Sequence, residues 1–195
     1  MERREDMAYR TINELAHFEF QEAEILEMRM ERGHLNLDLD SVTILPENSC
    51  NRDIRKMGAK ELRLQFQFAN ITLFVEEGYK LFDADGNPKD VVDDRIVTGD
   101  EIGEIMQQLT GGHVYAISCR EMEENSSEVK RPDEVQEEAP TEEVGDNEPD
   151  KGQENVRKEY ELLLDGEERT YQVIVSASRD VEEWERFMNR CAGEQ

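Results

Sequence analysis

Apolar and polar residues alternate over several stretches of this chain, and the alternation predicts most of its elements. Leu35, Leu37 and Leu39 are interleaved with Asn36, Asp38 and Asp40, and Leu62, Leu64, Phe66 and Phe68 with Arg63, Gln65 and Gln67. A period of two places one face of a strand in a core and the other in water. Ahead of them, Phe18 and Phe20, then Ile25, Leu26, Met28 and Met30, suggest a strand with a bulge near Glu22–Ala23, and Gly33-His34 turns the chain. Val42 and Ile44 extend the next strand until Pro46, and residues 46–59 read as a loop. Ile71–Val75 and Tyr79–Phe82 add two more strands around a turn at Gly78, and His113–Cys119 another. Strands joined by short turns predict an antiparallel sheet with one face buried.

Three stretches carry a helical period instead. Arg3 to Ala16 is weakly helical, with Met7, Ile12, Leu15 and Ala16 loosely on one side. Ile102, Ile105, Met106 and Leu109 stand at i, i+3, i+4 and i+7, behind a Thr98/Glu101 capping-box spacing and ahead of Gly111-Gly112. Near the end, Asp180 and Glu183 repeat the capping spacing, and Val181, Trp184, Phe187, Met188 and Cys191 line one side of an expected final helix. Just before it, Tyr160–Leu164 and Thr170–Val175 flank Asp165-Gly166 as a hairpin. A hairpin plus one helix buries too little to be stable alone, so this piece is expected to dock on the preceding sheet with Trp184 as anchor. The expected class is α+β: an antiparallel sheet of about seven to nine strands, two or three helices, and a long disordered acidic insertion.

Charge supplies that insertion. The 195 residues hold 48 acidic and 23 basic side chains, a net charge of −25. Residues 121–156 alone carry 14 acidic against 3 basic, with only six apolar residues in no periodic order. Such a stretch cannot offset the ~1–2 kcal/mol per residue that backbone ordering costs. The chain thus divides into 1–120, mainly antiparallel β with one capped helix; 121–156, a disordered acidic linker centred on Glu123 to Gln153; and 157–195, a hairpin plus helix. Ser126, Ser127 and Thr141 sit in acidic surroundings that could accept phosphate.

Candidate chemistry is sparse. Asp83, Asp85 and Asn87 sit at first, third and fifth positions of a calcium loop, but Pro88 stands where that loop needs Gly and Asp94 where it needs a bidentate Glu. A turn explains the same residues. His17, His34 and His113 have no metal-ligand spacing. Of Cys50, Cys119 and Cys191, the last two read as core residues, and Cys50 lies in a polar loop near Arg52 and Arg55. Nothing supports a catalytic, cofactor or metal site, and an enzyme is not expected. Three scattered cysteines argue against a disulfide framework, no apolar run approaches the ~18–20 residues that span a bilayer, and Met1-Glu-Arg-Arg-Glu-Asp leads into no apolar signal. A cytoplasmic protein without membrane contact is expected. Direct nucleic-acid binding is not expected: it needs a basic patch, and the densest one, Arg52, Arg55, Lys56, Lys60 and Arg63, is set in so negative a chain that it is expected to meet the protein's own acids or an acidic partner patch.

The segment His17-Phe-Glu-Phe-Gln-Glu-Ala-Glu-Ile-Leu26, followed by a Gly turn and Leu-x-Leu-x-Leu, resembles the opening of small bacterial immunity-type proteins. Those proteins carry Asp before the Ala where this chain has Glu22, and they lack the acidic insertion. The resemblance implies a binding protein without catalysis. The expected function is accordingly protein binding, in its most concrete form an immunity or antitoxin role toward a basic partner. The alternatives are a small-ligand-binding or hydrolytic domain, and an acidic mimic of nucleic acid.

Overall fold

The computed structural model describes residues 8–121 and 157–189. Its strands in chain order are β1 (Tyr9–Ile12), β2 (Phe18–Glu19), β3 (Glu24–Glu31), β4 (His34–Asp40), β5 (Val42–Ile44), β6 (Met57–Ala59), β7 (Leu62–Gln67) and β8 (Asn70–Glu76). They continue with β9 (Tyr79–Phe82), β10 (Pro88–Val92), β11 (Arg95–Ile96), β12 (His113–Glu121), β13 (Lys158–Asp165), β14 (Thr170–Ala177), β15 (Arg179–Trp184) and β16 (Phe187–Asn189). One α-helix, α1 (Glu101–Gln108), precedes β12, and Leu15–His17 forms a single 3-10 turn. No helix among the described residues is long and apolar enough to cross a membrane.

The alternating leucines explain the main sheet. Leu35, Leu37 and Leu39 of β4 face Phe66, Leu64 and Leu62 of β7 in register, and all six are fully buried. Ten strands join antiparallel in the order β1-β15-β7-β4-β3-β12-β13-β14-β8-β11. The sheet rolls over on itself. Phe66 of β7 and Tyr160 of β13, four strands apart in that order, bring their rings to 4.6 Å across the interior.

A second, four-stranded sheet runs β16-β6-β5-β2. Its order repeats β15-β7-β4-β3, because each of its strands adjoins in sequence the corresponding strand of the large sheet. The four chains therefore bend sharply from one sheet into the other. At three of the bends stand non-glycine residues in the left-handed region, Glu22 (φ 64°), Ser41 (φ 64°) and Glu61 (φ 57°). A left-handed L-residue costs roughly 1–2 kcal/mol, and the packing inside the corner offsets it. Trp184 is fully buried there, stacked on Tyr9 at 5.5 Å and edge-on to Phe18 and Phe187.

Several expectations are corrected. The strands outnumber the seven to nine expected, and α1 is the one α-helix among the described residues. The expected final helix is instead β15 and β16. Residues 179–183 pair with β7, and 187–189 with β6, so the backbone groups a helix would satisfy internally complete two sheets. The weak amino-terminal helix is likewise replaced over Tyr9–Ile12 by β1, paired with β15. The loop expected over 46–59 ends in strand β6. Helix α1 buries Ile105, Met106 and Leu109 as its period predicts, but Asp100 occupies its N-cap with no side-chain cap bond, so the Thr98 capping box does not form. The expected linker, its Ser126, Ser127 and Thr141, and Cys191 lie outside the described residues.

Candidate functional site

Between β8 and β11 the chain leaves the large sheet and returns as a separate two-stranded ribbon. Among the described residues strands β9 and β10 pair only with each other, Leu81 opposite Asp90 and Lys80 opposite Val91. The ribbon's base is fixed. The Gly78 amide donates to Asp94 Oδ1 at 2.8 Å, and the Arg169 guanidinium lies 5.1 Å over the Tyr79 ring. A Cβ on Gly78 would stand 2.0 Å from the Val92 carbonyl oxygen, so the two legs close only around glycine.

Beyond that base the arm is exposed. Leu81, Phe82 and Val91 are 49%, 60% and 48% accessible, and Ile96 just past the arm is 65% accessible. A two-stranded ribbon is marginal in water by itself, and exposed apolar side chains gain nothing until a partner covers them. In this register Leu81 stands on one face of the ribbon, and Phe82 and Val91 on the other. Between residues 79 and 94, five acidic side chains accompany two lysines.

The tip of the arm holds the calcium-like residues. Asp83 Oδ1 accepts the amides of Asp85 and Asn87, both at 2.9 Å, and these bonds hold its carboxyl below the usual range. Its oxygens are turned onto its own loop, the geometry of an Asx turn.

A second feature is a cleft of about 840 Å³ at the open side of the roll. β3 pairs with β4 along one edge. On its other edge it meets β12 only at Glu24, and Ile25 exchanges backbone bonds with Gly111 and Gly112. Across the cleft, β8 pairs with β14, while β11 covers only Val75 and Glu76 of its other edge and Val97 bonds Phe74. Residues 26–31 of β3 and 70–73 of β8 thus have an edge without a strand partner among the described residues, and 27–30 and 70–71 of them line the cleft. Met30, Ile71, Ile102 and Met106 line it, with Glu27 and Asp100 in its wall.

The third feature is internal. Asp180 and Glu182, two residues apart on β15, are 1% and 0% accessible. Tyr160 donates its hydroxyl to Asp180 Oδ1 at 2.6 Å, and the Leu15 amide donates to Oδ2 at 3.1 Å. Thr11 donates to Glu182 Oε2 at 2.7 Å, and Glu182 Oε1 has no hydrogen-bond partner among the described residues. Burial first, and then the neighbouring Asp180, push the Glu182 carboxyl up to about 8. The Tyr160 hydroxyl is also raised, by burial and then by its bond to Asp180. Lys158 Nζ stands 3.9 Å from Asp180 Oδ1. No substrate reaches this sealed pair. Sequence reasoning placed Asp180 at a helix cap and overlooked Glu182, because two acids on a strand do not look like a buried face.

The remaining sequence candidates scatter. Arg63 pairs with Asp38 at 2.7 Å, Lys56 with Glu19 and Lys60 with Glu61, so much of the basic cluster faces the chain's own acids. Arg52 and Arg55 have no ion-pair partner among the described residues. Cys50 is half-buried with Sγ 3.8 Å from the Arg10 carbonyl oxygen. Cys119 is exposed, not in the core as its strand pattern suggests. His17 contacts Glu14 at 3.2 Å, and the His34 ring nitrogen accepts the Phe68 amide. Comparison with protein-family models, curated proteins and solved structures finds no match. What the geometry defines is a rolled antiparallel β protein with a projecting apolar ribbon.

Proposed function

We propose that this chain is a non-catalytic protein-binding module, and that the β9–β10 arm is its contact surface. An immunity- or antitoxin-like role, blocking a basic face of another protein, is the most concrete form of this reading. The observation that carries it is the exposure of Leu81, Phe82 and Val91 on a ribbon that stands apart from both sheets. Buried anchors supply affinity, while the acidic surroundings speed encounter with a basic partner and select against acidic ones.

The test is capture by the tagged full chain, from cells that naturally contain it, beside a Leu81→Asp/Phe82→Asp variant. A stoichiometric partner held by the wild type, weakened by salt and lost with the variant at an unchanged melting temperature, is expected. An empty capture, or one the variant retains in full, overturns the proposal.

A further inference from the structure

We infer that the cleft between β3 and β8 binds an extended peptide segment of another protein by strand addition, independently of the arm. The two edges that flank it present main-chain donors and acceptors, and an extended backbone is the ligand chemistry that satisfies them. The floor selects for side chains. Met30, Ile71 and Ile102, over the buried Met106, accept apolar residues at every second position of such a strand, and the Met30 side chain adapts to differing shapes. Charge selects the rest. Arg29 is bonded to Asp38 at 2.9 Å and to Glu27, which leaves Asp100 as the acid of the wall open to a ligand, and within a chain of net charge −25 Lys or Arg at the alternate, outward positions fits it.

The rival occupant is the chain's own residues 122–156. The chain re-enters at Arg157, whose guanidinium donates to the Phe68 carbonyl at 2.7 Å, beside Ala69 at the cleft wall. That stretch carries the same sign of charge as the wall, which disfavours it.

Gly103 makes the site testable without damage to the fold. It lines the cleft, and a Cβ there would meet nothing within 4 Å. Gly103→Leu therefore fills the cleft and replaces a helix-interior glycine by a better helix former. The probe is a fluorescent, end-capped peptide of alternating valine and lysine, about seven residues long to match the free edge of β3 at ~3.3 Å per residue. Its control is the same peptide with alternate amides N-methylated, equal in charge and side chains but unable to donate along one edge.

Binding of the probe to the full chain is expected, at least tenfold weaker for the methylated control and for Gly103→Leu, with Leu81→Asp/Phe82→Asp unchanged. No binding overturns the inference, as does equal binding of the methylated control, which would signify charge or side-chain contact alone. If deletion of residues 123–153 tightens the probe more than tenfold, the chain's own segment fills the cleft and the inference fails. The arm variant's neutrality here keeps this outcome separate from failure of the arm proposal.

Discussion

Replacing Glu182 by Gln should make the protein more stable in alkaline solution and remove a large part of its pH dependence. Glu182 is fully buried, accepting the Thr11 hydroxyl, with the Asp180 carboxyl beside it. Its folded pKa of about 8 lies above the ordinary 4.5. Between those values the folded chain holds a proton that the unfolded chain has released. Stability therefore falls as pH rises from about 4.5 to about 8, and the full loss is present above that range. At 1.36 kcal/mol per unit the loss is about 5 kcal/mol, a ceiling because Asp180 and Glu182 share the same burial. Gln has the shape of the protonated carboxyl, still accepts the Thr11 hydroxyl, and has no proton to lose.

The assay is urea unfolding of wild type and Glu182→Gln at intervals from pH 4.5 to 9. The difference between the two isolates this one group from the many other acids of the chain. It should be near its minimum at pH 4.5, widen through neutrality in favour of the variant, and level above pH 8. A difference that stays constant with pH, or that narrows as pH rises, would refute the reasoning.

Three further outcomes test the fold. Glu61→Gly should raise stability by about 0.5–1 kcal/mol by relieving the left-handed strain at its bend, net of the added unfolded-chain freedom. The same change at Glu183, in an extended strand, should lower it, both read as urea midpoints. Trp184→Ala should cost about 3–5 kcal/mol, since its ring is fully enclosed by aromatic neighbours where the two sheets meet. Gly78→Ala should force the legs of the arm apart, because its methyl would overlap the Val92 carbonyl oxygen. Hydrogen exchange at Lys80 and Val91 should then accelerate while the amides of β4 and β7 keep their protection.

The central sheet was legible because its strands are half-buried. Leu35, Leu37 and Leu39 alternate with polar residues for the same reason that they face Phe66, Leu64 and Leu62. Helix α1 was legible from the stripe Ile102, Ile105, Met106 and Leu109, although the cap residue was not. The carboxy-terminal strands were hidden by a coincidence of spacing. Val181, Trp184 and Phe187 fit a helical period, yet Trp184 ends β15 and Phe187 begins β16 in the other sheet. The true alternation on β15 places Asp180, Glu182 and Trp184 in the interior, and two buried acids disguise it. The bends at Ser41 and Glu61 carry no glycine, so nothing local marks them, and the one at Glu22 was legible only as a bulge within one strand, not as a passage between two sheets. The arm was legible as a strand, Tyr79–Phe82, but not as a site. Tyr-Lys-Leu-Phe reads like any half-buried strand, and its exposure follows from which strands fail to pair with it.

The charge of the chain bears on why such an arm can stay uncovered. Exposed Leu81, Phe82 and Val91, on a ribbon whose outer edges pair with no strand among the described residues, would ordinarily favour pairing between two copies. Two copies each carry −25, and five acids against two lysines surround the arm itself, so the encounter is opposed at long range wherever salt does not screen it. A basic partner meets the reverse condition and is drawn to the same surface. The acidity then acts as selection against self-association, and the apolar anchors need no specificity of their own to avoid it. On this argument, raising salt from about 0.02 to about 1 M, which shortens the screening length from roughly 20 Å to roughly 3 Å, should weaken capture of the partner and promote self-association of the wild-type chain. The Leu81→Asp/Phe82→Asp variant should stay monomeric under both conditions, as sedimentation can show. Self-association of that variant at high salt would place the sticky surface elsewhere than the arm.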